Sequence, residues 1–154
     1  MRFLENKIPP PIVALLFAAD IWVISIYTPA TALLIGPYSL YVAIGLLVLG
    51  FGVAIAGALS FRAAATTVNP LKPETASSLV TSGVFQYSRN PMYVGLTCLL
   101  LALTLYLAAG WGLLAVALFM GYIHLFQIVP EERAMHRLFG AEFEAYQASV
   151  RRWL

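Results

Sequence analysis

The sequence predicts an all-α polytopic membrane protein, with about four transmembrane helices followed by a C-terminal amphipathic helix. Hydrophobic residues make up 61% of the 154 residues, charged residues make up 10%, and the mean hydropathy is +0.85. A soluble domain has about 45–50% apolar and about 25% charged residues, so this composition excludes a soluble fold. The length fits one domain over residues 1–154. A net charge of +2 gives no indication of a nucleic-acid partner.

Four apolar segments are long enough to cross a bilayer, because a hydrocarbon core of about 30 Å needs roughly 17–25 residues per helix. The predicted transmembrane segments are residues 12–28, 40–61, 92–109 and 111–129. Breaker residues, among them Pro29, Pro37 and Gly110, separate the first segment from the second and the third from the fourth. Residues 62–91 form the longest polar connection, and a connection of that length is more often functional than a simple tether.

The distribution of basic residues predicts the orientation in the membrane. All nine Lys and Arg residues fall in the N-terminal segment, in the connection 62–91 or after residue 129. Four spans place these three segments on the same side, which the positive-inside rule makes the cytoplasmic side. We therefore expect cytoplasmic N- and C-termini, in a membrane of the bacterial inner-membrane type.

The last part of the chain, residues 131–150, has an amphipathic pattern. Its apolar residues follow steps of three and four, namely Met135, Phe139, Phe143, Tyr146 and Val150. Charged residues occupy the other faces, which is typical of a helix with one apolar stripe. We expect this helix to lie on the membrane surface or to cover the helix bundle, with a bend at Gly140.

One acidic residue, Asp20, interrupts the first apolar segment. An acid at the bilayer centre costs about 2.5–3.5 kcal/mol on insertion scales and is usually paired or functional. No basic residue lies within the other predicted spans to pair with it. Asp20 therefore either takes part in a site or faces water at a short break in the helix, and the sequence leaves both possibilities open.

Polar residues gather at the predicted start of the third helix. Asn90 and Pro91 are residue types typical of a helix N-cap and of the first helical position. Capping does not explain why Tyr87, Arg89 and Tyr93 lie within the same short stretch. The cluster as a whole indicates a functional site at the cytoplasmic face.

A second polar cluster, Glu131 and Glu132, follows the fourth segment. The helix dipole favours acidic residues in a first helical turn, but a carboxylate at the membrane face could equally bind a ribose or a cationic ligand. Both interpretations stay open. His124 and His136 have no second ligand at metal spacing, so no metal site is predicted. The single Cys98 excludes a disulfide framework.

At these two clusters the chain resembles the isoprenylcysteine carboxyl methyltransferase family, whose members are integral membrane methyltransferases that also resemble phospholipid methyltransferases. The matching motifs are Leu79-Val80-Thr81-Ser82-Gly83-Val84-Phe85, Arg89-Asn90-Pro91-Met92-Tyr93-Val94-Gly95, Glu131-Glu132 and Phe139-Gly140-Ala141-Glu142-Phe143-Glu144-Ala145-Tyr146. Their order and spacing fit the family, and the resemblance covers about half of the chain, from Ser77 to the end.

The resemblance implies that S-adenosylmethionine is the cofactor, held in a pocket that faces the cytoplasm. By position, the implied contacts are Ser77, Ser78, Leu79, Val80, Phe85, Asn90, Pro91, Met92, Tyr93 and Glu131. Compared with eukaryotic members, Asn90 replaces a His, Phe85 replaces a Tyr, and Gln127 replaces an Arg assigned to the substrate. Gln127 is thus the implied substrate contact, and the lost cation weakens the case for a prenylcysteine carboxylate as acceptor.

The expected acceptor is a lipophilic or small molecule, carrying a carboxylate, thiol or amine, that reaches the pocket from among the membrane lipids. A carboxylate or thiolate needs no general base, whereas an amine must lose a proton, for which Glu132 and His124 are candidates. The sequence indicates no oligomeric state. The alternative hypothesis is a non-catalytic transporter or assembly partner, suggested by Asp20 and the Gly-rich second segment. The sequence shows no convincing internal repeat, which favours the enzyme.

Overall fold

The computed structural model of the protein describes residues 5–31, 36, 38–64 and 73–154. Within these ranges the chain forms six α-helices and no β-strand, which confirms the all-α prediction. The helices are α1 (Pro10–Tyr27), α2 (Ser39–Ala63), α3 (Pro91–Tyr106), α4 (Gly112–Ile123), α5 (Val129–Phe139) and α6 (Ala141–Ser149). Two short 3₁₀ turns, Pro73–Thr75 and Gly83–Gln86, lie in the connection before α3.

Three helices in the described ranges are long and apolar enough to cross a membrane, namely α1, α2 and the continuous helix Gly112–Phe139. The fourth apolar helix, α3, is shorter, with 16 residues. A helix of 28 residues is about 42 Å long and exceeds a hydrocarbon core of about 30 Å. Since its apolar run ends at Val129, the polar stretch that begins at Pro130 extends beyond the membrane-spanning segment.

The connection between α4 and α5 is a π-helical segment, His124–Ile128. The Val129 N–H donates to the carbonyl of His124, five residues earlier. Pro130 has no N–H to donate to the Phe126 carbonyl, and the N–H of Asn6 donates to it at 3.0 Å instead. The separate start of a helix at 131 expected from the sequence is therefore not seen, because the helix continues through Pro130 without a break.

The packing of α2 against α3 depends on two glycines. A Cβ on Gly50 would lie 2.8 Å from the carbonyl oxygen of Gly95, and a Cβ on Gly95 would lie 2.6 Å from the carbonyl oxygen of Gly50. The two backbones therefore touch directly, which is the arrangement that small residues permit between membrane helices.

The core lies among α1, α3 and α4, and its fully buried members include Ile21, Phe119 and Ile123. Phe17 packs edge-to-face against Phe119, with ring centroids 5.7 Å apart. The outer surfaces of α1 and α2 carry exposed large apolar residues, as expected for helices that face lipid. Asp20 is exposed on α1, beside a groove that Trp111, Leu114 and Leu118 also line.

The C-terminal part turns back toward the start of α3. Gly140, with φ +47°, separates α5 from α6, so the expected bend at this residue is present. A positive φ is readily adopted only by glycine. The bend brings the end of α6 against Arg89, at a distance in sequence of about 60 residues. This return of the chain creates the candidate site.

Candidate functional site

A cavity lies at the junction of the segment 76–80, the start of α3 and the two C-terminal helices. Its empty volume is about 880 Å³, including space that is open to solvent. Apolar and aromatic side chains make up most of its lining and a few polar groups point into it, which is the usual character of a small-molecule site. The lining residues are Phe61, Ala76, Ser78, Leu79, Val80, Phe85, Arg89, Asn90, Pro91, Met92, Tyr93, Glu131, Glu132, Met135, Phe143 and Tyr146.

Local structure before α3 places the first part of this lining. Gly83 adopts φ +61° and opens the 3₁₀ turn Gly83–Gln86, which turns Phe85 into the interior. The Phe85 ring packs edge-to-face on Phe61 at the end of α2, with centroids 5.2 Å apart. Pro91 then begins α3, because its fixed φ suits the first helical position and its missing N–H costs no hydrogen bond there.

The polar centre of the cavity is a hydrogen bond between α3 and α5. The hydroxyl of Tyr93, a buried residue, donates to Glu131 Oε1 at 2.6 Å. Loss of hydration raises the pKa of Glu131 to about 8, although the Tyr93 hydrogen bond lowers it; the neighbouring Glu132 raises it further. In the absence of a ligand, Glu131 is therefore a largely neutral carboxyl group near pH 7. A cation bound beside it would stabilise its ionised form.

Glu132, the next residue, has a different environment. Arg89 donates to its Oε1 at 2.9 Å, and Arg152 donates to both carboxylate oxygens, at 3.0 and 2.6 Å. Burial alone would raise the pKa of Glu132, but hydrogen bonds and charge from the two guanidinium groups lower it overall. Glu132 is therefore ionised and fully engaged in ion pairs.

Arg89 also connects the C-terminal residues to the start of α3. Arg89 donates through Nη1 to the carbonyls of Val150, at 2.6 Å, and of Gln147, at 3.2 Å. Its backbone N–H donates to the Arg151 carbonyl at 2.9 Å, and Asn90 Nδ2 donates to the Arg152 carbonyl at 2.8 Å. The C-terminal residues are thus held against the start of α3, next to the α6 residues Phe143 and Tyr146 that line the cavity.

Comparison with known proteins agrees with this arrangement. A family model described as phospholipid methyltransferase matches residues 38–142, about two thirds of the chain. The chain belongs to the phospholipid methyltransferase family. The match extends from the start of α2 into α6 and so includes nearly all of the cavity lining. This protein is an integral membrane methyltransferase, and the family match favours the enzyme hypothesis over the non-catalytic alternative.

One relative is an uncharacterized protein of Haemophilus influenzae. It is 43% identical over 63 residues, which cover 41% of this chain and the whole of that protein. No solved structure matches the chain.

The structure brings together most positions that the resemblance implies for the cofactor of this methyltransferase. Ser78, Leu79, Val80, Phe85, Asn90, Pro91, Met92, Tyr93 and Glu131 all line the cavity. Ser77 is exposed and lies outside the lining. Their roles in binding stay predictions, but their convergence on one cavity gives those predictions a common location.

The three residues implied for substrate or proton transfer are placed differently. Glu132 lines the cavity but is engaged by two arginines. Gln127 is fully buried in the π-helical segment, where its Nε2 donates to the Ile8 carbonyl at 2.9 Å. His124 begins the same segment, and neither His124 nor Gln127 is part of the cavity lining.

Several lining residues were not identified as site residues from the sequence. Phe61 closes the cavity from the end of α2, while Met135, Phe143 and Tyr146 close it from α5 and α6. The last three belong to the apolar stripe of the C-terminal segment, which predicted burial without indicating what it would cover. The stripe was the available signal, because an amphipathic helix that follows a functional motif can cover a site as well as a membrane surface.

Proposed function

We propose that this methyltransferase uses S-adenosylmethionine, bound in the cavity between the segment 76–80, the start of α3 and the helices α5 and α6. The acceptor is a lipophilic or small molecule that carries a carboxylate, thiol or amine and comes from the bilayer. The observation that carries the proposal is the Tyr93–Glu131 hydrogen bond at 2.6 Å inside a cavity lined mainly by apolar and aromatic side chains.

The chemistry of the lining fits this cofactor. The cofactor has an ammonium group and ribose hydroxyls, and Glu131 offers a carboxyl group with an oxygen not used by Tyr93. Phe61, Phe85 and Phe143 offer apolar and aromatic surface for the rest of the molecule. Aromatic faces also attract cations, by about 0.5–2 kcal/mol, which suits a sulfonium.

When bound, the cofactor supplies a methyl group that is already activated for transfer, so the protein has mainly to bind, align and exclude water. Glu131 anchors the polar end, and Tyr93 fixes the orientation of its carboxyl group. A free carboxylate beside the reacting sulfonium would stabilise the ground state more than the transition state. Glu132 avoids this, because Arg89 and Arg152 already neutralise its charge.

The acceptor group decides whether a base is needed. A carboxylate or thiolate can accept the methyl group directly, whereas an amine has to lose a proton. Glu132 is held ionised by Arg89 and Arg152, which makes it a weak base. An amine acceptor would therefore lose its proton to water rather than to Glu132. The site faces the cytoplasm in this proposal, since the basic segments lie on its side of the membrane.

The proposal is tested by calorimetric titration of detergent-purified protein with S-adenosylmethionine and its demethylated product. We expect saturable binding of both, weakened about 10- to 100-fold in Glu131→Gln, which loses a hydrogen bond to a charged group worth about 1.5–3 kcal/mol. Glu142→Gln is the matched control, because Glu142 is an exposed carboxylate on α6 outside the cavity.

Two results would contradict the proposal. Folded wild-type protein that binds neither compound would exclude this cofactor. Equal affinity of wild type and Glu131→Gln would exclude the proposed location of the cofactor, even if binding itself were observed.

A further inference from the structure

We infer that Arg89 and Asn90 are positioning residues, which hold the C-terminal segment, defined as residues 147–152, and thereby keep in place α6, whose residues Phe143 and Tyr146 line the cofactor cavity. This inference rests on the proposed function, because it assigns a role to residues around the same cavity. It differs from the resemblance, which implies Asn90 as a direct cofactor contact and gives no role to Arg89 or to the C-terminal segment.

The first argument is that two adjacent residues donate hydrogen bonds to four backbone carbonyls near the C-terminus. Arg89 and Asn90 together donate to the carbonyls of residues 147, 150, 151 and 152. The last four carbonyls of an α-helix have no partner within the helix, and α6 ends at Ser149. A guanidinium group at a helix C-terminus satisfies such carbonyls and also interacts favourably with the helix dipole. The Gln147 carbonyl belongs to the last turn of α6 and the other three lie beyond it, so the two residues tie the end of α6 and the chain that follows it to the start of α3.

The second argument is the ion-pair network that this contact completes. Glu132 on α5 receives hydrogen bonds from Arg89, before α3, and from Arg152, in the C-terminal segment. The side chains of Arg89 and Glu132 are only 11% and 12% exposed, so removing Arg89 would leave the buried Glu132 with Arg152 as its one remaining cation, and removing Glu132 would leave Arg89 without a carboxylate partner. Such a loss is costly, and it would affect three separate parts of the chain at once.

The third argument is that these contacts lie at the edge of the cavity. Arg89, Asn90, Glu132 and Tyr146 all line it, and Phe143 of α6 does too. The Tyr146 hydroxyl donates to the Phe85 carbonyl at 2.6 Å, which fixes α6 to the turn before α3. Release of the C-terminal segment would therefore loosen α6, and with it Phe143 and Tyr146, while the transmembrane helices stay in place.

The three side-chain hydrogen bonds of Arg89 go to protein groups, although Arg89 also lines the cavity. Nη1 and Nη2 are used for Val150, Gln147 and Glu132. Nε is buried and has no hydrogen-bond partner among the residues that the structure describes, so it does not reach the open part of the cavity. Arg89 thus acts on a bound cofactor through α6, which it holds in position.

The first test needs no cofactor. Hydrogen–deuterium exchange of the ligand-free protein in detergent should become faster in residues 141–150 in Arg89→Gln, with exchange in α2 and α3 unchanged. Arg137→Gln is the matched control, since Arg137 is an exposed arginine on α5 outside the cavity. Unchanged exchange in α6 of Arg89→Gln would overturn the inference, whether or not the protein binds S-adenosylmethionine.

The second test asks whether Arg89 acts through the C-terminal segment. Arg89→Gln, truncation after Ser149 and the combination of both should each release S-adenosylmethionine about tenfold faster than wild type, without further acceleration in the combined variant. Arg89→Lys should give a smaller increase, because lysine keeps the charge but lacks the planar fork. Multiplicative effects of the two changes would show that Arg89 contacts the cofactor directly and would overturn the inference.

Discussion

At the scale of single residues, Glu131 and Glu132 are neighbours in the chain whose carboxyl groups have opposite electrostatic surroundings. Glu131 accepts a hydrogen bond from the neutral hydroxyl of Tyr93, whereas Glu132 is paired with two guanidinium groups. The sequence identifies the pair but treats both members alike. Their difference arises because consecutive helical residues point in directions about 100° apart, so that each meets a different neighbour.

The raised pKa of Glu131 predicts a pH-dependent stability. Its pKa is about 8 in the folded protein against an ordinary value of 4.5, so folding favours the protonated form. That stabilisation is complete below pH 4.5 and is lost as the pH rises through 8. We expect the unfolding temperature of the ligand-free protein to fall between about pH 4.5 and pH 8 and to level off above that. The unfolding temperature of Glu131→Gln, whose side chain stays neutral, should fall much less over the same range. An equal fall in both proteins would contradict the raised pKa of Glu131.

Cofactor binding should depend on pH in the opposite direction. An ammonium group bound at Glu131 requires the ionised carboxylate, so binding releases a proton. We expect the affinity for S-adenosylmethionine to rise about tenfold per pH unit below about pH 8 and to fall above it, where the α-ammonium group of the cofactor loses its proton. Calorimetry in buffers of different ionisation enthalpy measures the released proton. A flat profile in wild type, like that expected for Glu131→Gln, would exclude a cation at this residue.

At the scale of the helices, the contact between α2 and α3 predicts a strong difference between two glycines on α2. Gly50→Ala places a methyl group 2.8 Å from the Gly95 carbonyl oxygen, whereas Gly52 has nothing within 4 Å. Overpacking costs about 1–3 kcal/mol, so we expect Gly50→Ala to lower the free energy of unfolding in detergent. Gly52→Ala is the matched control and should leave it unchanged or raised. Equal stability of the two variants would exclude direct backbone contact at Gly50.

Asp20 on α1 provides a second prediction at this scale. It is exposed in the middle of an apolar helix and has no hydrogen bond or ion pair in the part of the chain that the structure describes. It lies in a groove separate from the cofactor cavity. We expect Asp20→Leu to stabilise the protein in bilayers, by at most about 2.5–3.5 kcal/mol. Its cofactor affinity should match that of wild type, and a lost affinity would give Asp20 a role in the site.

The position of the π-helical segment His124–Ile128 depends on contacts with residues near the N-terminus. It lies just before Glu131, and an added residue in a helical turn rotates everything that follows it. The segment 5–8 supports it from the N-terminal side, through the Asn6 N–H, the Ile8 carbonyl and the Glu5–Arg133 ion pair. Which face of α5 meets the cavity therefore depends on residues more than 100 positions away.

At the scale of the whole molecule, the fold places the polar ends of α3 and α5 at one membrane face. The proposed orientation puts both chain termini in the cytoplasm. A fluorescent protein that matures only in the cytoplasm, fused after Leu154, should be bright. An alkaline phosphatase active only outside the cytoplasm, fused at the same place, should be inactive. The reverse pattern would invert the orientation and place the cofactor cavity on the side without S-adenosylmethionine.

The sequence by itself determined the all-α membrane architecture and the position of the four apolar segments. Both follow from local properties, because each bilayer-spanning helix satisfies its own backbone hydrogen bonds and must be apolar over about 20 residues. The family resemblance that rests on the motifs around Arg89–Gly95 and Glu131–Glu132 also implied nine of the residues that line the cavity.

Only the tertiary structure decided which functional side chains meet which partners. Gln127 is tied to Ile8 across 119 positions, and Arg89 binds the Val150 carbonyl across 61. Contacts of this kind depend on how distant segments pack, and no periodicity or composition along the chain encodes them. For the same reason the sequence could not distinguish the neutral Glu131 from the ion-paired Glu132, because the arginines that separate them are brought together by the return of the C-terminal segment.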